Sequence, residues 1–159
     1  MTEAAQQMAT LLREKKQTIT CAESCTGGLL MNTITDIPGS SAIFIGGVVA
    51  YSNAMKHVLL GVPEHMLENF GAVSEEVAAA MARGVRGIVG ANLALAVTGI
   101  AGPGGATADK PVGLTYISLT GADIAITKRF VWDGDREANK RASVDAALEI
   151  VLQYLDSVP

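Results

Sequence analysis

The stretch TITCAESCTGGLL, residues 18–30, decides how this chain is read. TITCA alternates β-branched and small apolar residues and reads as a buried strand. The Gly-Gly pair and the following LLMNTITDI read as a helix that must stop before Pro38, because the residue preceding proline is pushed out of the helical region. Glu23, Ser24, Cys25 and Thr26 therefore sit at a strand-to-helix turn. In open α/β sheets such turns lie at the carboxyl ends of strands, where ligands collect. A carboxylate, two hydroxyls and a thiol are delivered there together.

Upstream, residues 2–15 place Ala4, Ala5, Met8, Leu11 and Leu12 on one face, an amphipathic helix started by Thr2. Downstream, IFIGGVVAY (43–51) is a second apolar run, and SNAMKHVLLG reads as a short helix closed by Gly61. Pro63 opens another short segment, and Ser74 caps a long helix with Glu75 and Glu76 in its first turn, where negative charge suits the helix dipole. NLALAVTG (92–99) is a third strand, leading into the loop IAGPGGATADKP. VGLTYISLTG and ADIAITKRFVW form a hairpin joined near Gly121 and Ala122, and Val144, Leu148, Val151, Leu152 and Leu155 mark a C-terminal helix beginning near Asp135.

Strands separated by helices predict an α/β fold, a three-layer α/β/α sandwich on a mixed, mostly parallel sheet with a late hairpin. One domain across residues 1–159 is expected. With 49% hydrophobic residues the chain can bury a core of its own.

A net charge of -4 and basic residues interleaved with Asp and Glu disfavour a polyanion partner, so no nucleic acid is expected. No apolar run is long enough to span a membrane, and no membrane partner is expected. Cys21 and Cys25 are poorly placed for a structural disulfide, and the N-terminus lacks the pattern of a signal peptide, so the cytoplasm is the expected compartment. His57 and His65 show no paired-ligand spacing; neither metal nor cofactor is expected. A homodimer or higher homo-oligomer is the prior for a small domain of this kind.

Three segments share the carboxyl-end position: ESCTGG, YSNAMK and TGIAGPGG. Ser24 at the sharp end of a strand could be a nucleophile beside free backbone N–H groups, or Ser24 or Thr26 could simply cap the helix. Cys25 is a rival nucleophile or a small buried filler. Neither histidine has an orienting carboxylate nearby, so Lys56, five residues after Tyr51, is the more interesting base; it would need burial or positive neighbours to lose its proton. Without them it is an ordinary solvated lysine, as Tyr51 could be an ordinary strand-end aromatic. TGIAGPGG lacks both the Lys-Ser/Thr ending of a nucleoside-triphosphate loop and dinucleotide-type glycine spacing; it is either an anion-contacting loop or a tight turn. Arg136, Lys140 and Arg141 could reach a phosphate or sit in solvent.

The strings AESCTGG, TDIPGSSAIFIGGVVAYSNAMK, GAVSEEV, TGIAGPGG and KPVG, with GDRE before the last helix, closely resemble the CinA C-terminal-domain family. Its enzymatic members are nicotinamide mononucleotide deamidases. The resemblance implies a three-layer α/β/α domain and a cytoplasmic, metal-independent amidohydrolase of pyridine-nucleotide salvage acting on a small nucleotide. It carries the nucleophile onto Ser24 and the catalytic neighbours onto Tyr51 and Lys56. Thr26, Gly27 and Gly28 would stabilise the oxyanion, Thr98, Gly99 and Gly102 would contact substrate, and so would Arg141. Longer family members carry an additional N-terminal domain, whose pyrophosphatase-type activity is not transferred. A hydrolase of another small amide, or a nucleotide-binding module without turnover, is the competing expectation.

Overall fold

The computed structural model describes residues 3–159, so the proposed helix start at Thr2 lies outside the described residues. The first helix, α1 (Glu3–Glu14), buries Ala5, Met8 and Leu12 of the predicted face together with Ala9, while Ala4 and Leu11 are only partly buried. It leads into β1 (Ile19–Glu23), every residue of which is buried. Then come α2 (Leu29–Thr35), a 3-10 turn, β2 (Phe44–Val49), α3 (Asn53–Leu60), α4 (Glu64–Phe70) and α5 (Glu75–Val89). The chain closes with β3 (Leu93–Gly99), β4 (Leu114–Thr120), β5 (Ala125–Val131) and α6 (Arg136–Ser157).

The strands form one sheet in the order β2-β1-β3-β4-β5. β1 pairs parallel with both β2 and β3, whereas β4 pairs antiparallel with β3 and β5. Four strands thus share a direction and β4 alone opposes them, which is the mixed sheet with a late hairpin that the sequence predicts. β1 and β3 are covered on both faces, which explains why they read as unbroken apolar runs.

The two faces are built differently. On one, Cys21, Leu95 and Ile117 pack against Met8 and Leu12 of α1, Leu30 and Ile34 of α2, and Leu148 and Val151 of α6. On the other, Ala22, Ala94 and Ala96 meet Leu60 of α3, Leu67 of α4, and Val77, Met81 and Val85 of α5. Together these make the three layers. Small side chains on the second face let its helices lie close to the sheet. Gly84 of α5 continues this closeness outward, since a Cβ there would run into the Leu60 carbonyl at the end of α3. The helix that carries Lys56 is thereby drawn down toward the end of β1.

Candidate active site

Because β2, β1 and β3 are parallel neighbours, their carboxyl ends lie side by side. Ser24 follows β1 directly. Its N–H donates to the Val97 carbonyl of β3, at 2.9 Å, and Ala50 N–H donates to the Glu23 carbonyl, also at 2.9 Å, so the turn is pinned to both neighbours. Gly27 and Gly28 follow with φ of 60° and 103°, a left-handed pair that other residues adopt at a cost.

Lys56 arrives from the first turn of α3. Ser52 starts that helix, its hydroxyl accepting from Met55 N–H at 3.2 Å. Lys56 is only 1% exposed, and its Nζ lies 2.9 Å from Ser24 Oγ and 3.2 Å from the Tyr51 carbonyl. Among the described residues the Lys56 ammonium has no carboxylate partner; the sole ion pair joins Arg141 to Glu137. Burial accordingly lowers the Lys56 pKa from its ordinary 10.5, opposed by the smaller influence of Cys25. A lysine that sheds its proton more readily, within hydrogen-bond distance of a serine at a strand end, can act as the serine's base.

Cys25 is 8% exposed, and burial pushes its thiol up to about 11. It stays protonated at neutral pH and is a poor nucleophile. Cys21, wholly buried in β1, is raised further from reactivity by the same cause.

Around the dyad is a cavity of 260 Å³ lined by Ser24, Tyr51, Lys56, Thr98, Gly99 and Gly102, together with Asn53, Arg136 and the loop residues Ala72 and Val73. The three segments singled out in the sequence therefore converge. Their details differ from expectation in four respects. Thr98 Oγ1 donates to the Ala72 carbonyl at 2.8 Å, so its side chain holds the α4–α5 loop. Tyr51 meets Lys56 through its backbone carbonyl, while its exposed hydroxyl accepts from Arg136 at 3.1 Å. Gly27 N–H is spent on the Ser24 carbonyl and Gly28 N–H on Glu23, which leaves the N–H groups of Cys25 and Thr26 without hydrogen bonds to other described residues. Finally, neither Ser24 nor Thr26 caps α2: Ser24 faces Lys56, and Thr26 Oγ1 is buried without a partner.

Arg141 does not reach this cavity. It is 65% exposed, pairs with Glu137 at 3.3 Å, and lines a separate 350 Å³ groove between α2 and α6 that holds no nucleophile beside a buried base. The arginine at the cavity is Arg136, the first residue of α6, which also donates to the Gly102 carbonyl at 2.8 Å. Asn139, one turn on and 2% exposed, supports it by donating to the Ala101 carbonyl and accepting from Gly134 N–H, both at 3.0 Å. Sequence reading names Arg136 only as one of three candidate cations and passes over Asn139. The signal for Arg136 is its place after Asp135, which caps α6 by accepting from Ala138 N–H.

His57 Nδ1 lies 2.8 Å from the Val62 carbonyl and serves the α3 turn. Among the described residues, no three His, Cys, Asp or Glu side chains gather as a metal-binding group. Nor is any described helix long and apolar enough to cross a membrane.

The sequence pattern of the CinA C-terminal domain matches residues 1–155. A CinA-like protein of Geotalea uraniireducens is 56% identical over 130 residues, covering 82% of this chain and 31% of that protein. A putative competence-damage inducible protein of Desulforudis audaxviator is 49% identical, covering 92% and 35% respectively. The chain spans about a third of the length of these curated relatives. Among solved structures, the competence damage-inducible protein A of Klebsiella pneumoniae superposes with a TM-score of 0.95 at 31% identity, covering 99% of this chain and 98% of that one. The competence/damage inducible protein CihA of Agrobacterium tumefaciens gives 0.90 at 40% identity, covering 98% and 94%.

Proposed function

Since this chain belongs to the CinA C-terminal domain family, we propose that it is a serine-lysine amidohydrolase that deamidates nicotinamide mononucleotide to nicotinate mononucleotide and ammonia. The observation that carries the proposal is the buried 2.9 Å contact between Ser24 Oγ and Lys56 Nζ, with no carboxylate among the described residues to hold the lysine charged.

In this reading neutral Lys56 takes the Ser24 proton as Oγ bonds to the carboxamide carbon. The Tyr51 carbonyl accepts from an Nζ–H and turns the lone pair toward Ser24. Charge developing on the carboxamide oxygen is met by the N–H groups of Cys25 and Thr26, the two residues after the nucleophile, which bond to no other described residue. Lys56 then returns the proton to the leaving nitrogen, the C–N bond breaks, and ammonia departs. Water attacks the resulting ester with Lys56 again taking a proton, the acyl–Oγ bond breaks, and the proton goes back to Ser24. Arg136 is the cation within reach of a substrate phosphate, a bidentate donor already oriented by Gly102.

The reaction belongs to cytoplasmic pyridine-nucleotide salvage and involves neither nucleic acid nor a membrane. Half-exposed Ile45 and Val49 on the open β2 edge favour a homodimer or higher homo-oligomer. The test is ammonia release by purified protein from nicotinamide mononucleotide beside nicotinamide, its riboside and unrelated small amides. Turnover confined to the mononucleotide supports the proposal; turnover of another amide moves the substrate; binding without ammonia from any of them removes the enzyme.

A further inference from the structure

Glu23 is wholly buried, and among the described residues it has no cationic partner. Instead its carboxylate accepts three backbone N–H groups: Gly28 at 3.1 Å and Leu30 at 3.1 Å on Oε2, and Met31 at 2.8 Å on Oε1. A carboxyl group this deep needs donors in place of the water it has lost. The three amides are those that a side-chain cap would satisfy, and α2 has no such cap from its own N-cap residue, Gly28.

The position of these bonds in the chain matters more than their number. Glu23 precedes Ser24, and its side chain reaches forward to Gly28, closing a ring around the turn that presents the nucleophile. Upstream, the Glu23 carbonyl and the Ser24 N–H are tied to β2 and β3. Downstream, the turn passes through two left-handed glycines, which resist displacement poorly by themselves. The carboxylate is the fastening on that side.

We infer that Glu23 is a positioning residue of the dyad: by gripping the first turn of α2 it fixes Ser24 Oγ against Lys56 Nζ. The inference rests on the reading of Ser24 as nucleophile. A shift of about 1 Å between reacting groups is enough to cost about a hundredfold in rate. Loss of the grip therefore slows Ser24 acylation while substrate affinity, which the proposed function assigns to Arg136, is retained.

Two variants test this. Glu23→Gln keeps the size but sets an amide donor against N–H donors; Glu23→Asp keeps the charge one methylene short. Both are compared with the parent for kcat and KM of ammonia release, for the rate at which a fluorophosphonate labels Ser24 without substrate, and for amide exchange at Gly28, Leu30 and Met31. The expected result for Glu23→Gln is a fall in kcat and in labelling of about tenfold to a hundredfold, with KM within about twofold and faster exchange at the three amides. Glu23→Asp should recover part of the loss. Folded variants that label Ser24 at the parental rate overturn the inference. So does failure of both variants to fold, since the carboxylate would then hold the domain rather than the dyad. If the parent labels at Ser24 but releases no ammonia from the mononucleotide, the substrate assignment falls and the labelling series still decides the role of Glu23. A parent whose Ser24 cannot be labelled overturns both.

Discussion

Replacing Lys56 by arginine keeps a positive charge beside Ser24 and removes the capacity to accept a proton, because arginine stays protonated up to about pH 12. At pH 7.5 a lysine with the ordinary pKa of 10.5 is neutral in about one molecule in a thousand, a deficit of about 4.1 kcal/mol. Burial at 1% exposure reduces that deficit by lowering the pKa. A positioned base contributes about a hundredfold to ten-thousandfold, so Lys56→Arg should lower kcat by at least about a hundredfold, or about 2.7 kcal/mol. The sign of the pH dependence follows from the neutral form being active. Parental kcat/KM should rise with pH and level off below 10.5. Cys25 cannot supply that limb, its thiol being pushed up to about 11, and the limb should survive Cys25→Ala. Ammonia release across pH, with melting curves to establish that the wider guanidinium is tolerated, is the assay. An arginine variant with near-parental turnover, or a parental rate that climbs without levelling up to the ordinary lysine value, would refute the assignment of Lys56 as base.

Ser24→Ala should abolish turnover and, by stripping the acceptor from buried Lys56, cost about 1 to 2 kcal/mol, seen as a melting point lower by about 2 to 8 °C. Arg136→Ala should raise KM by at least about tenfold with a smaller change in kcat, while Arg141→Ala, which breaks only an exposed pair, should stay within about twofold; steady-state kinetics separates them. Lys56→Met should be inactive yet more stable by about 1 kcal/mol near pH 7. In the parent the unfolded chain holds a proton that the folded chain gives up, so parental stability should rise between the depressed pKa and 10.5, closing the gap to the methionine variant in pH-dependent melting.

The dyad was legible because its parts depend on strand ends. β1 and β2 announce themselves as apolar runs, and a parallel pairing brings Ser24 and Lys56 together; the residues alone still leave Ser24 readable as a helix cap and Lys56 as a solvated lysine, and the family resemblance is what singles out the pair. The α6 contacts were less legible because they depend on helix phase. At about 100° per residue, Arg141 lies about 140° around the helix from Arg136 and more than a turn along it, and the pattern of basic residues cannot say which faces the cavity until the helix start is placed. Which amides of the turn are left for the proposed oxyanion contact cannot be read off TGG, because it depends on the turn's own bonds, two of which consume Gly27 and Gly28. The capping role fell to Glu23 rather than Ser24 or Thr26 for the same reason: the carboxylate reaches the helix amides only once two glycines have folded the chain back.

The strand order also sets a sequence of events in time. β4 and β5 are joined by a four-residue turn at Gly121–Ile124, so their pairing closes almost no loop. β1 and β3, the two strands that anchor Ser24, meet across the whole span from Ile19 to Leu93, with β2 and four helices between. Contacts between distant segments form late because chain entropy must be surrendered before they are rewarded. Pulse-labelled hydrogen exchange during refolding should therefore protect the amides of Thr115 to Phe130 before those of Cys21 and Leu95. A half-folded molecule of this protein would carry its hairpin and still lack the Ser24–Lys56 contact, so the proposed active site is the last part the chain assembles.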